Sequence, residues 1–312
     1  MTWQKREMDA ETPDSILPRV LRKIKERAKG IDMPFPLKAL NEITRGYPKG
    51  RVTTIAARTS HGKSAFVLQS AAYLAYAGKN AIYVSLEDDR TQITERLISL
   101  VMNKTNTSLQ HGNLDGLDVS TMLERFKDIN LFIIDAYGFD LTELDSIYND
   151  VIFPNGKKAD IIFHDYIQII DNAKYETLSM FMKDVKQWCI SKECAFVMAS
   201  QQNRQHDMAP SNTGMKGTSS IEEASDLILL LYYPRNSADI DRIQTKFKEE
   251  FNYLSDEMKD LVIEKYFEIS ISKNKSGPIR YGLPFEFNGP TYTFYDWEGI
   301  ESITKQEGEE EE

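Results

Sequence analysis

The sequence predicts an α/β fold, a mostly parallel central sheet with helices on both faces and an antiparallel C-terminal extension. Three observations predict it. From residue 50 onward, short apolar and β-branched runs alternate with helical patterns of ten to fifteen residues, as βαβ units do. After residue 227 the texture changes to four strand-like runs, with little helix between the last three. The 312 residues are 41% hydrophobic and 11% aromatic, enough to bury one large core or two smaller ones.

The elements follow in order. Residues 15–30 carry Leu17, Val20, Leu21 and Ile24 at helical spacing with Arg and Lys between them. They form one amphipathic helix closed by Gly30. Two readings of it stand: a helix packed on its own domain, or a linker helix that docks on a neighbouring subunit. Residues 51–57 form a strand, followed by a short polar loop and a helix over 64–77 that Gly78 breaks. Strands follow at 81–85, 130–134, 161–163 and 195–200. Helices lie between them at 91–102, 141–152 and 178–189. The late strands are 227–232, 266–272, 279–287 and 292–295, expected as an antiparallel group. Residues 246–265 form a charged, helical insertion. There is no internal repeat. The organisation expected is an N-terminal extension (1–33), a main α/β domain (34–298) and an acidic, disordered tail (299–312).

Charge and composition narrow the function. The net charge is −10, with 38 basic and 48 acidic residues. Glu307, Glu309, Glu310, Glu311 and Glu312 supply half of that, and such a run is solvated. The balance excludes a protein that coats nucleic acid with its whole surface, but allows a local basic channel. No apolar run approaches the ~18 residues of a membrane helix, and the first residues lack the apolar core of a signal peptide. Cys189 and Cys194 can build neither a disulfide framework nor a four-ligand zinc site. A cytoplasmic protein with no membrane partner is expected.

The strongest motif is Ala57-Arg58-Thr59-Ser60-His61-Gly62-Lys63-Ser64, between a predicted strand and a predicted helix. Backbone N–H groups in such a loop and at the helix start cradle phosphates. Lys63 supplies a charge to the β- and γ-phosphates, and the Ser64 hydroxyl a ligand for Mg²⁺. A nucleotide polyphosphate and Mg²⁺ are therefore expected, with Arg58, Thr59, Ser60, His61, Gly62, Lys63 and Ser64 on the nucleotide. Two strands end in an aspartate that could hold the metal, Asp135 and Asp165. Asp165 is favoured, because Asp135 precedes a Tyr-Gly turn that suits loop chemistry. Glu87, just past the 81–85 strand, is placed to deprotonate an attacking water.

Together these pieces resemble the C-terminal ATPase domain of DnaB-family replicative helicases, which has a RecA-like fold. The resemblance runs over residues 34–295. It rests on the phosphate loop, Ser85-Leu86-Glu87, His164-Asp165-Tyr166-Ile167-Gln168, Ser200-Gln201-Gln202-Asn203-Arg204 and Lys273-Asn274-Lys275-Ser276-Gly277-Pro278, in the family's order. Ala57 at the first loop position is a family habit, and the match supports Asp165 for the metal. The resemblance implies that the nucleotide is ATP and that Gln201 senses its γ-phosphate. It implies a DNA-binding loop over 203–220, with Arg204, Lys216 and Gly217 on the DNA and Gly214 within the loop, and a second channel loop over 172–177. Lys273 and Lys275 would reach the ATP site of the adjacent subunit. The family usually has arginine at the second position, and lysine keeps the charge but loses the two-pronged fork.

By this resemblance the chain is expected to be a homo-hexameric, ATP-driven motor on single-stranded DNA that unwinds duplex during replication. Primase or a helicase loader would be a partner. Only 33 residues precede the main domain, too few for the family's N-terminal collar, which suits a phage-like short form acting in a bacterial or phage-infected cell. Two alternatives remain: a RecA/Rad51-like recombination ATPase, and a non-motor replication adaptor with the same fold.

Overall fold

The computed structural model of the chain describes residues 12–113, 118–127, 129–136, 140–165, 175–202, 218–300 and 303. The strands are β1 (Val52–Ala57), β2 (Ala81–Ser85), β3 (Leu131–Asp135), β4 (Ile161–Asp165), β5 (Ala195–Gln201), β6 (Leu227–Tyr232), β7 (Tyr266–Asn274), β8 (Arg280–Asn288) and β9 (Thr293–Asp296). They form one sheet in the order β3-β2-β4-β5-β1-β6-β7-β8-β9. The first six are parallel. The last three add antiparallel to the β6 edge. The fold is the one the sequence predicts, with one shift. β6, expected in the antiparallel group, pairs parallel with β1 and antiparallel with β7, and so joins the two halves.

The helices are α1 (Pro13–Ala28), α2 (Lys38–Thr44), α3 (Lys63–Tyr76), α4 (Arg90–Met102), α5 (Asn106–Gln110), α6 (Val119–Lys127), α7 (Leu141–Asp150), α8 (Tyr175–Lys192), α9 (Thr218–Ala224), α10 (Ser237–Lys246), α11 (Lys248–Phe251) and α12 (Asp256–Lys265). Alternate residues of each parallel strand serve opposite faces. On one face Ile55, Ala57, Tyr83, Phe163, Val197 and Leu229 pack against α3 and α4. On the other Ile82, Val84, Ile162, Phe196 and Met198 pack against α7 and α8. Being covered on both sides is why these strands read as continuous apolar runs rather than alternations.

Local chemistry fixes the helix starts. Asp89 and Gln92 form a capping box at α4, and Asp140, Asn236 and Ser255 cap α7, α10 and α12. The charged insertion is helical but begins earlier than its sequence pattern, at Ser237. It is tied to β7 by Arg242, which donates both prongs to the buried Glu268 at 2.8 and 3.0 Å. Ile300 and Ile303 are buried with Tyr266 and Ile263. Packing therefore runs past residue 299, where the tail was expected to begin. Residues 304–312 lie outside the described residues. No helix among the described residues is long and apolar enough to cross a membrane.

Candidate nucleotide-binding site

The site grows from the C-terminal end of β1. Ala57 pairs in register with Gln201 of β5 on one side and Leu231 of β6 on the other. The chain then turns sharply, with Ser60 and Gly62 both in the left-handed region (φ 63° and 69°). Helix α3 begins at Lys63, directly after this turn. Gly62 has no side chain to cap it, so the helix N-terminus, with its partial positive charge, faces the loop. The turn is held from below by aromatic rings. A Cβ on Gly62 would lie 2.9 Å from Phe294 Cζ and 3.5 Å from Phe287 Cζ.

Lys63 and Asp165 meet across one intervening strand. Lys63 Nζ lies 3.6 Å from Asp165 Oδ1. Burial lowers the lysine's pKa, and the charges of Asp165 and Glu87 oppose that shift. Asp165 Oδ2 accepts a hydrogen bond of 2.8 Å from Tyr83 Oη. Its Oδ1 is buried and accepts no hydrogen bond among the described residues. A buried carboxylate oxygen that meets only an ammonium group at 3.6 Å, beside a phosphate loop, suits a cation. Asp165 and the Ser64 hydroxyl on the first turn of α3 therefore fit Mg²⁺ chemistry. Glu87 is exposed just beyond β2. Gln201 Nε2 donates to the Thr59 hydroxyl, which ties β5 to the loop.

The other predicted residues are placed apart. Asp135, the alternative metal ligand, pairs with Arg90 at 2.8 Å. Lys273 and Lys275 lie at the opposite end of the strands. Lys275 Nζ is 3.1 Å from Asp226 Oδ1, and Lys273 Nζ donates to the Glu222 carbonyl. Asp226 precedes β6 and donates its N–H to the Val52 carbonyl at the start of β1, whereas the phosphate loop follows the end of β1. Arg204, Gly214, Lys216 and Gly217 lie outside the described residues, as do Tyr166, Ile167, Gln168, Asn203 and residues 172–174 of the second channel loop.

Sequence reading missed Tyr83 and did not foresee how the predicted loop residue His61 is held. Tyr83 carries the hydrogen bond that orients Asp165. Its signal was a tyrosine in a buried strand, whose hydroxyl needs a partner. His61 accepts a 3.0 Å hydrogen bond at Nδ1 from the Tyr233 N–H. Burial, with Arg58 and Arg235 nearby, lowers its pKa to about 4. His61 is therefore a neutral, structural member of the loop, locked to the end of β6.

Comparison with known proteins identifies the family and the fold. Residues 31–296 match the model of the DnaB-like helicase C terminal domain. The chain is 25% identical over 246 residues to the replicative DNA helicase DnaB of Treponema pallidum, covering 74% of this chain and 56% of the relative. It is 28% identical over 248 residues to that of Haemophilus influenzae, covering 68% and 53%. The chain thus spans about half the length of these curated relatives. Among solved structures, a separately solved ATPase domain superposes with a TM-score of 0.73 at 20% identity, over 93% of this chain and all (100%) of that one. A DnaB-like replicative helicase, studied with its interactions with primase, gives the same TM-score and identity over 93% of this chain and 68% of that one. With a parallel sheet of this order, a phosphate loop on β1 and a family match over most of its length, the chain belongs to the DnaB-like helicase C-terminal domain family.

Proposed function

We propose that this protein is a hexameric, Mg²⁺- and ATP-dependent helicase motor that moves along single-stranded DNA and unwinds duplex during replication. The observation that carries the reading is the meeting of Lys63 and Asp165, 3.6 Å apart, at the start of a helix whose N-terminus is open to an anion. Lys63 would bind the β- and γ-phosphates, with the 58–64 backbone around them. Ser64 and Asp165 would hold Mg²⁺, which when bound screens the phosphate charge. Glu87 would orient and deprotonate water. Gln201, joined to Thr59, would report the state of the γ-phosphate along β5 to the segment that follows it. That segment, with Arg204, Lys216 and Gly217, would contact the DNA backbone. Such contacts are salt-dependent and largely blind to sequence. Lys273 and Lys275 lie at the far end of the strands from their own phosphate loop, which supports their use at the ATP site of a neighbour. The 1–33 and 34–298 segments would then be an assembly helix and the motor, with the motor's packing continued through Ile300 and Ile303 before the acidic tail. Primase or a loader is the replication partner in this reading, and the cytoplasm its place of action.

A strand-displacement assay on forked DNA tests the proposal. Displacement should require ATP and should vanish in Lys63→Ala. ATP hydrolysis stimulated by single-stranded DNA without displacement would instead indicate a recombination-type ATPase. No hydrolysis at all would indicate an adaptor.

A further inference from the structure

The end of the sheet opposite the phosphate loop gathers three ammonium groups around one buried carboxylate. Helix α9 ends at Ala224, where its last carbonyls lack helical partners. Lys273 donates to the Glu222 carbonyl, and Lys186 of α8 donates to the Glu223 carbonyl at 3.2 Å. The third, Lys275, is gripped twice by Asp226, the second residue beyond the helix. Its N–H donates to the Asp226 carbonyl at 3.0 Å, and its ammonium pairs with the Asp226 carboxylate at 3.1 Å. A register shift in the β6–β7 pairing lies just before Lys273, a device that re-aims side chains.

Asp226 itself is anchored. It is 8% exposed, its N–H is spent on Val52 of β1 at 2.8 Å, and the preceding Ser225 shares a 2.7 Å hydrogen bond with Thr54. Its Oδ2 is buried and has no hydrogen-bond partner among the described residues. The crowding has an electrostatic signature. The pKa of Lys186 is lowered by burial and by Lys275, and that of Lys273 by burial and by Lys275. Asp226 pairs directly with Lys275 and so fixes its position, and together with Glu222 and Glu223 it offsets the repulsion around Lys273.

We propose that Asp226 is the positioning residue for Lys275, holding its ammonium group at the subunit surface from which it reaches a neighbour's nucleotide. The inference rests on the reading that Lys275 acts in trans. Asp226 touches no phosphate; it acts through the lysine. Removing its charge leaves Lys275 mobile and repelled by Lys186 and Lys273, and a misplacement of about 1 Å in such a group costs on the order of 100-fold in rate.

Mixed rings test this. Asp226→Asn, which keeps the side chain's shape, should lower kcat for DNA-stimulated ATP hydrolysis by about 10–100-fold and leave KM for ATP unchanged. Mixing Asp226→Asn with Lys63→Ala subunits should restore turnover, because an intact phosphate loop then meets an intact, well-held Lys275. Mixing it with Lys275→Ala should give no gain over Asp226→Asn alone. The opposite pattern, gain with Lys275→Ala and none with Lys63→Ala, would show that Asp226 serves its own phosphate loop and would overturn the proposal. So would an unchanged kcat. Asp226→Glu keeps the charge and should show a smaller loss with the same mixing pattern; it is read in the same mixtures should the asparagine variant not fold. The underlying trans reading is checked separately by mixing Lys63→Ala with Lys275→Ala, which must regain activity if that reading holds.

Discussion

A cation buried at the start of a helix is costly unless something answers its charge. The Lys63 side chain is only 13% exposed, and it stands at the positive end of α3. Asp165 and Glu87 partly offset that cost, and a bound polyphosphate would answer it more fully. His61 solves a similar problem by staying neutral. Its pKa is lowered to about 4 by burial first, then by Arg58 and Arg235, and its ring lies 5.7 Å from that of Tyr232. The unfolded chain takes up the proton near pH 6.5 and the folded one does not. The stability that His61 lends is therefore full above pH 6.5 and is lost as pH falls toward 4. Urea midpoints measured over this window should fall less steeply for His61→Gln than for the unchanged protein. Equal slopes would show that the histidine titrates freely in the fold.

At the scale of elements, the phosphate loop depends on strands far away in sequence. Phe287 of β8 and Phe294 of β9 stack with ring centroids 4.3 Å apart, and Phe294 meets Phe66 of α3 edge-on at 5.4 Å. Gln69 of α3 binds the Phe294 backbone in both directions, at 2.9 Å each. The antiparallel extension is thus the floor beneath the loop and the start of α3. Gly62→Ala would put a methyl group against Phe294 while the backbone stays left-handed. The conformation alone costs about 1–2 kcal/mol. This variant should melt lower and bind a non-hydrolysable ATP analogue more weakly, which calorimetry and fluorescence titration would measure. An unchanged melting temperature would mean that the aromatic floor yields freely.

At the scale of the whole molecule, the sheet has two working ends. One carries Lys63, Asp165, Glu87 and Gln201; the other carries Lys186, Lys273, Lys275 and Asp226. Under the proposed reading, two copies must meet to complete a site, each presenting a different end. Helix α1 supplies a surface suited to such a meeting. Leu17, Val20, Leu21 and Ile24 are 51%, 41%, 48% and 52% exposed, so none of the described residues covers its apolar stripe. Burying one such side chain is worth about 1.5–3 kcal/mol. Converting Leu21 and Ile24 together to Asp should weaken assembly by at least about tenfold while leaving the melting of the single subunit in place. Sedimentation across a concentration series would show it. Assembly as tight as that of the unchanged protein would assign the stripe another role.

The sequence by itself determined the layer order of this protein and the chemistry at the end of β1. Buried parallel strands are apolar throughout, and the phosphate loop is contiguous, so both are written in local stretches of chain. Lys63 and Ser64 were legible for that reason. Short polar helices such as α2 and α5 lack enough turns to show a period, and α10 began before the charged run that revealed the insertion. The motifs already favoured Asp165 over Asp135; only the tertiary structure decided that β6 joins the parallel and antiparallel halves and that Phe287 and Phe294 support Gly62. It also placed Asp226 against Lys275, residues far apart in the chain. Such pairings depend on strand order and register, which bring distant residues together with no mark in the local sequence.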